Sequence, residues 1–299
     1  MLSPAPSPSP SGAADIDALF SAINAGQPTH AELLADGRCS VAAAHPDLNR
    51  YSDCWPLDSH LVDTGPADYL NASLVQNLAA APAYIMAAGP MAPGWHGPDT
   101  RHAFWSAVWH HGVRVIVALA VPAAGFQGCA PYAGGTHVGR KTSRRHRNPA
   151  ISVEVLNESN PLGSGLAIER KLLLTRGDET RECTQIEFGA WPNYGVASSS
   201  SVASLIERVD LLRHGSARDA DAEPPLLVHC AGGVGRTGAF VTAHSLHCEE
   251  RQSGVAPPAA VVATRVRVLR AARHPYAVET AAQLRLVMET LAELRRGEA

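Results

Sequence analysis

A glycine-rich turn between a strand-like run and a helix-forming stretch constrains this sequence more than any other feature. The run Leu-Leu-Val ends at His229, and the turn runs from Cys230 to Gly238 as CAGGVGRTG. Glycines allow backbone N–H groups to converge on a central anion, and the start of a helix adds positive potential. The segment therefore predicts an anion-binding loop at the end of a strand.

The cysteine of this loop is predicted to be a nucleophile. Converging N–H groups and a helix N-terminus lower the pKa of a thiol, so Cys230 would be largely thiolate near neutral pH. A thiolate repels a bound anion but can attack its phosphorus atom. Arg236 would bind two phosphate oxygens with its planar guanidinium, and the hydroxyl of Thr237 would hydrogen-bond the sulfur as a leaving group. His229 is predicted to brace the loop rather than to act as a base.

Composition narrows the class of protein. The chain has 299 residues, of which 45% are hydrophobic and 18% charged, which is enough apolar material for a folded domain. A net charge of -3 gives no global attraction to nucleic acid, and Arg114 and Pro122 interrupt the most apolar stretch, so no membrane span is expected. The six cysteines are scattered without a CxxC pair, which favours free thiols and a cytoplasmic location.

The chain is expected to comprise a Pro- and Ser-rich disordered leader over residues 1–13 and one folded domain over 14–299. Strands are predicted at 113–120, 151–155, 167–174, 183–188 and 225–229, and helices near 16–23, 101–111, 202–212 and 284–291. Mixed elements without internal repeats predict a single α/β or α+β domain. The leader leaves two interpretations open, a flexible tail or the export address of a secreted effector.

The segment from His229 to Gly238 resembles the signature loop of the cysteine-dependent protein tyrosine phosphatases. Further segments match the family in its order: Asn49 to Asp53, Asp68 to Ser73, Tyr84 to Pro90, Phe104 to Trp109, Trp191 to Asn193 and Glu279 to Gln283. The resemblance covers residues 45–292. It implies a twisted mixed β-sheet flanked by helices, with the loop between a central strand and a helix. It also implies hydrolysis of phosphotyrosine through a phosphocysteine on Cys230, without a metal or organic cofactor.

The resemblance assigns expected roles to further residues. Tyr51 would flank the substrate ring and set the depth of the pocket, and Asp53 would hold the peptide backbone. Gln283 would belong to the glutamine loop of the active site. The phosphate would be bound by the loop residues Ala231, Gly232, Gly233, Val234 and Gly235. The expected partner is a phosphotyrosine-containing protein, and the chain is expected to be a monomer.

Departures from the family bear on activity. Asn193 stands where the family has the aspartic acid that protonates the leaving phenolate, and losing that proton donor is expected to cost about 10²–10⁴-fold in rate. Glu279 replaces the glutamine that orients the attacking water, and it is our candidate for a substitute base. Ala123 and Gly128 replace a Glu that pairs with the signature arginine and a Lys, so Arg236 is predicted to lack one orienting partner.

Three functions stay open at this point. The first is an active phosphotyrosine phosphatase, and the second is an impaired relative that binds phosphotyrosine without turning it over. The third is a phosphatase of inositol phosphates or phosphoinositides, whose charge would suit the basic run Arg140 to Arg147, although Tyr51 would narrow the pocket against them. His244, His247 and Cys248 are spaced to face one way on a helix, but the sequence shows no second ligand cluster, so no metal is expected.

Overall fold

A computed structural model describes residues 13–65, 69–123, 128–137, 149–163, 165–192, 195–215 and 223–297. The helices in these residues are α1 (Ala13–Asn24), α2 (His30–Ala35), α3 (Ser40–Ala43), α4 (Arg101–His110), α5 (Ser199–Gly215), α6 (Gly235–Ser253), α7 (Ala259–Ala272) and α8 (Ala281–Gly297). The strands are β1 (Ala72–Val75), β2 (Tyr84–Ala88), β3 (Val115–Ala118), β4 (Gly135–His137), β5 (Ile151–Ser159), β6 (Ala167–Arg176), β7 (Glu179–Phe188) and β8 (Leu226–Cys230).

The described strands form one mixed sheet in the order β1-β2-β8-β3-β7-β6-β5-β4. Strands β2, β8, β3 and β7 are parallel, and the strands on either side of them are antiparallel. Every residue of β2, β3 and β8 is buried, because central parallel strands are covered on both faces. Strand β8, which leads to the glycine-rich turn, therefore lies inside the sheet.

The carboxyl ends of the three central strands lie side by side at one edge of the sheet. Cys230, the last residue of β8, pairs with Ala88 of β2, and His229 pairs with Ala118 of β3. In open parallel sheets, the crevice outside these carboxyl ends is where ligands bind. The predicted nucleophile is thus placed at that edge.

Helices cover both faces of the sheet. On one face α6 packs against β2, and residues of α1, α5, α7 and α8 belong to the same core as Tyr84 and Met86 of that strand. On the other face α4 packs against Ile85 and Ala87 of the same strand. Side chains alternate between the faces of a strand, so one short strand contributes to both cores. Helix α6 is buried from Gly235 to His247, and its N-terminus follows directly from the Cys230 loop.

The expected fold class is confirmed, since a mixed sheet flanked by helices carries the loop between a central strand and a helix. The predicted strands and helices are present, and β5, β6 and β7 are longer than expected. Elements that the sequence analysis missed are α2, α3, α7, β2 and β4. No described helix is both long and apolar enough to cross a membrane. Residues 1–12 and the run Arg140 to Arg147 lie outside the described residues.

Candidate active site

The loop after β8 is shaped by a close approach to strand β2. Gly233 has φ +70°, in the left-handed region, and a Cβ atom at this position would lie 2.2 Å from the carbonyl oxygen of Ala87. Only glycine satisfies both conditions without strain. The loop is consequently pressed against the sheet before α6 begins at Gly235.

The thiol of Cys230 lies buried inside this loop. The N–H of Gly233 donates to its sulfur at 3.2 Å. Burial acts to raise the pKa of Cys230, but the charge of Arg236, the Thr237 hydroxyl and N–H, and the N–H of Val234 outweigh it, so the pKa lies below its usual value. The Thr237 hydroxyl is buried near the sulfur and stabilises its charged form. The surroundings of Cys230 thus favour the thiolate, the reactive form.

Arg273 holds the loop from behind. Its side chain is fully buried, with Nε donating to the Gly233 carbonyl at 3.0 Å and Nη2 donating to the Gly232 carbonyl at 3.0 Å. In a planar trans peptide the N–H points opposite to the C=O. The N–H groups of Gly233 and Val234 therefore point away from Arg273 and toward the sulfur. Sequence analysis missed this residue, because nothing in the local pattern marks an arginine that binds a loop 40 positions earlier.

The side chain of Arg236 is oriented by the backbone. Its Nη1 donates to the carbonyl oxygen of Leu119, just beyond β3, at 2.8 Å. This carbonyl at the end of the neighbouring strand gives Arg236 an orienting partner that the sequence analysis did not identify. Gly128 is itself in tight contact, since a Cβ there would lie 2.2 Å from the Ala123 carbonyl oxygen. No larger side chain fits at Gly128 without a shift of the backbone.

A cleft of about 700 Å³ opens above the loop. Among the predicted site residues, its lining comprises Tyr51, Asp53, Cys230, Ala231, Gly232, Val234, Gly235, Arg236, Glu279 and Gln283. Gly233 and Thr237 lie behind this lining, where they contact the sulfur. The structure thus brings together every predicted site residue that it describes.

An aromatic ring forms one wall of the cleft. A Cβ at Gly232 would lie 3.2 Å from the ring of Tyr51, so the ring stands directly over the loop. Asn71 ties this wall to the loop, because it donates to the carbonyl of Cys54 at 2.9 Å and accepts from Arg273 at 2.6 Å. Burial raises the pKa of Cys54 to about 12, so this second thiol in the cleft is protonated.

Glu279 and Gln283 form the opposite side. A Cβ at Gly235 would lie 2.6 Å from Oε2 of Glu279, which places this carboxylate over the start of α6. The Glu279 N–H donates to Oε1 of Gln283 at 2.8 Å. Partial burial and the nearby charge of Asp53 raise the pKa of Glu279, against the opposing effect of Arg236. A carboxylate of this kind can exchange a proton more readily near neutral pH than an ordinary glutamate.

The predicted acid loop borders the same cleft. Trp191 is buried and its Nε1 donates to the Gly195 carbonyl at 3.2 Å. Pro192 and Gly195 both line the cleft. Asn193 itself lies outside the described residues, and its role stays a prediction.

His229 braces the loop, in agreement with the sequence analysis. Its Nε2 lies 2.6 Å from the hydroxyl of Tyr132, and its Nδ1 lies 3.2 Å from the Cys230 carbonyl oxygen. Burial, with the charge of Arg236, lowers the pKa of His229 to about 4, so the imidazole is neutral at physiological pH.

A separate polar cluster lies between α5 and α6. Donor atoms of Asp210, His244 and Cys248 lie within 4.8 Å of one another, so Asp210 supplies a neighbour that the sequence analysis did not find. Nε2 of His244 lies 3.0 Å from Oδ1 of Asp210, and Nη1 of Arg213 donates to the same oxygen at 2.9 Å. The contact with Asp210 raises the pKa of His244 despite its burial. Cations already surround the carboxylate, so the cluster is built as an ion-pair network.

Comparison with known proteins identifies the family. The sequence model described as protein-tyrosine phosphatase matches residues 45–293. The human tyrosine-protein phosphatase non-receptor type 18 is 30% identical over 285 residues, which cover 87% of this chain and 54% of that protein. The mouse non-receptor type 4 enzyme is 28% identical, covering 85% of this chain and 26% of its own length. The chain thus spans about half the length of the type 18 protein and about a quarter of the length of the type 4 protein.

Solved structures agree over nearly the whole chain. The crystal structure of the catalytic domain of human protein tyrosine phosphatase non-receptor type 18 has a TM-score of 0.73 and 27% identity, covering 93% of this chain and 95% of that domain. The structure of PTPN18 in complex with HER2-pY1196 phosphopeptides has a TM-score of 0.74 and 26% identity, covering 94% and 93% of the two chains. With its ordered motifs, its sheet and its cysteine loop, this chain belongs to the protein-tyrosine phosphatase family.

Proposed function

We propose that the chain hydrolyses phosphotyrosine in proteins through a covalent phosphocysteine on Cys230. The observation that carries the proposal is the buried Cys230 thiolate, held by loop N–H groups and Arg236 at the bottom of a cleft with an aromatic wall. Substrate phosphate would bind the loop backbone and the Arg236 guanidinium, which places phosphorus in reach of the sulfur.

The reaction takes two displacements. In the first, the sulfur attacks phosphorus, the S–P bond forms, and the P–O bond to the tyrosine ring breaks with its electron pair on the phenolate oxygen. In the second, a water oxygen attacks phosphorus, the S–P bond breaks, and Cys230 regains its thiolate as inorganic phosphate leaves. The Thr237 hydroxyl at the sulfur stabilises the thiolate in this second departure.

Phosphotyrosine is the substrate that the cleft favours. Tyr51 stands over the loop, so a phosphate must be presented on a group long and flat enough to pass beside the ring. PTPN18 has been solved with HER2 phosphopeptides, and this chain covers nearly all of that structure. The same wall disfavours inositol phosphates, whose ring would have to enter a slot lined by a tyrosine.

Proton transfer is where the chain departs from its family. Asn193 cannot protonate the phenolate, so turnover through this position would be slower by about 10²–10⁴-fold. We propose that Glu279 partly compensates. Its raised pKa would keep a fraction protonated to supply the phenolate, and the resulting carboxylate, near the start of α6, would accept a proton from the attacking water.

The test is steady-state hydrolysis of a phosphotyrosine peptide between pH 5 and 8. Turnover that disappears in Cys230→Ser, while that variant still binds the peptide, supports the phosphocysteine route. Glu279→Gln should lower kcat by about 10²-fold and remove a limb of the pH profile. Glu289→Gln, which removes the same charge at an exposed site on α8, is the matched control and should leave both unchanged.

Asn193 favours one second candidate, a domain that binds phosphotyrosine without turning it over. Peptide binding by the unmodified chain without measurable turnover, together with activity in Asn193→Asp, would establish this candidate. Turnover of the unmodified chain that needs Cys230 and Glu279 would exclude it. Equal turnover of inositol phosphates and the peptide would argue against the substrate class proposed here.

A further inference from the structure

The segment that carries Glu279 into the cleft has an unusual backbone. Val278 has φ +57°, a region that β-branched residues rarely occupy. Its side chain is fully buried, and a Cβ at Gly238 of α6 would lie 2.6 Å from its backbone nitrogen. Such a conformation persists only where surrounding contacts hold it in place. The direction of the next residue, Glu279, depends on those contacts.

One arginine adds two hydrogen bonds to these contacts. Nε of Arg270 donates to the Ala277 carbonyl at 3.0 Å, and its Nη2 donates to the Val278 carbonyl at 3.1 Å. These are the two peptide carbonyls immediately before Glu279. The planar fork of a guanidinium fixes the relative position of two acceptors, which a lysine ammonium does not do.

The third nitrogen of this guanidinium leads to the first helix of the domain. Nη1 of Arg270 donates to Oδ1 of Asn24, the last residue of α1, at 2.7 Å. The ring of Phe20, one turn earlier, lies 5.7 Å from the guanidinium carbon. Ile16 and Ile23 of α1 are buried in the core shared with α7 and α8. Helix α1 is therefore anchored in the fold and in direct contact with Arg270.

We propose that α1 is a positioning element for the proton-transfer step: Asn24 orients Arg270, which holds the turn at Ala277 and Val278 and so aims the Glu279 carboxylate at the start of α6. The inference rests on the role of Glu279 in the proposed function. Asn24 and Arg270 touch neither substrate nor the reacting atoms, so they act only through Glu279.

The chain offers a matched control for this contact. Arg267, one turn before Arg270 on α7, donates from Nη2 to the Ala22 carbonyl of α1 at 2.9 Å. It ties α1 to α7 without contacting the segment 277–279. Removing its side chain loosens the same helix and leaves the turn untouched. A loss of activity in Asn24→Ala that is absent in Arg267→Ala is therefore specific to the Arg270 connection.

The experiment measures two rates on the full chain with an aryl phosphate whose phenol is acidic, so that its departure needs no proton. The burst of phenol reports phosphoenzyme formation, and the following steady state reports phosphoenzyme hydrolysis. Asn24→Ala and Arg270→Lys should slow hydrolysis about tenfold and leave the burst rate unchanged. Arg267→Ala should change neither rate. Thermal unfolding of all variants shows whether the helix is equally weakened in Asn24→Ala and Arg267→Ala.

A double-mutant cycle separates positioning from general damage. If Asn24 acts through Glu279, Asn24→Ala should cost nothing further in the Glu279→Gln background. The inference is overturned if the two substitutions slow phosphoenzyme hydrolysis independently, so that their effects multiply in the double variant. It is also overturned if Glu279→Gln slows this step and Asn24→Ala does not. If Glu279→Gln has no effect while Cys230→Ser is inactive, the role of Glu279 fails and this inference fails with it, but the phosphocysteine route stands.

Discussion

Two glycines with the same backbone angle provide a direct measurement of how tightly the cysteine loop is held. Gly233 in the loop and Gly254 at the end of α6 both have φ +70°. Around Gly254 a Cβ would meet nothing within 4 Å, whereas at Gly233 it would lie 2.2 Å from the Ala87 carbonyl oxygen. Substitution of each glycine by alanine therefore adds the same backbone strain, but only one of the two substitutions adds a collision.

The expected magnitudes follow from that difference. The left-handed conformation costs an alanine about 1–2 kcal/mol, which is the whole effect expected for Gly254→Ala. Gly233→Ala adds the cost of overpacking, about 1–3 kcal/mol, for a total of about 2–5 kcal/mol. A carbon and an oxygen normally approach to about 3.3 Å, so the loop must move by about 1 Å. A shift of that size at the donor to the Cys230 sulfur should lower kcat/KM by about 10²-fold.

Urea unfolding and phosphopeptide turnover of the two variants check this reasoning. We expect Gly254→Ala to keep the activity of the unmodified chain, and Gly233→Ala to lose both stability and activity. The pH midpoint of Cys230 alkylation should also rise in Gly233→Ala, because the displaced N–H of residue 233 no longer stabilises the thiolate. Equal destabilisation of the two variants, with full activity in Gly233→Ala, would refute the proposed rigidity of the loop.

Further outcomes concern titration and buried charge. Iodoacetamide should modify Cys230 at pH values where an ordinary thiol is protonated. In Thr237→Val, the pH at which the alkylation rate is half its maximum should rise. If mass spectrometry shows no rise, the hydroxyl does not stabilise the thiolate. Burial lowers the pKa of His229 to about 4 and of His274 to about 3, so the unfolded chain binds more protons below about pH 6.5. These two histidines should therefore make stability fall as the pH falls, by up to about 2.7 kcal/mol per pH unit near pH 5, and His274→Gln should remove up to about 1.4 kcal/mol per pH unit of that slope in urea titrations. Asp210→Asn should cost about 3–5 kcal/mol in thermal unfolding, since it leaves buried cations without their carboxylate, and a loss below about 1 kcal/mol would count against the network.

Periodicity and apolar runs in the sequence predicted most of the sheet but missed β2 in its interior and β4 at its edge. The strands β5 to β7 and the helix α8 have clear apolar patterns and appear where expected. Strand β2 is buried on both faces, so it carries no alternation to detect. Helix α2 has a detectable signal that was overlooked, the capping box of Thr29 and Glu32. The place of β8 between β2 and β3 comes from long-range pairing, which no local window contains.

Some residues of the site were predicted from the sequence and others were not, again because local patterns do not contain long-range contacts. Cys230 and Arg236 were found because the loop motif places them in one continuous segment of the sequence. Arg273 and Arg270 were not, since each binds backbone carbonyls whose positions exist only after the chain has folded. The partner of Arg236 was missed for that reason too, because the Leu119 carbonyl looks like any other peptide group in the sequence. Chemistry carried by one continuous segment was predictable, and contacts between distant segments were not.

The burial of the cysteine loop between β2, β8 and Arg273 has a consequence for how this site can change over evolutionary time. Its floor is also part of the core of the domain, so a substitution there threatens folding before it alters the reaction. The walls include Pro192 and Glu279, whose side chains are exposed at the cleft rather than packed in the core. Glu279, to which the proposed function gives a part in proton transfer, stands in one of these walls. A domain built in this way can lose or regain catalytic speed while the floor of its cleft stays the same.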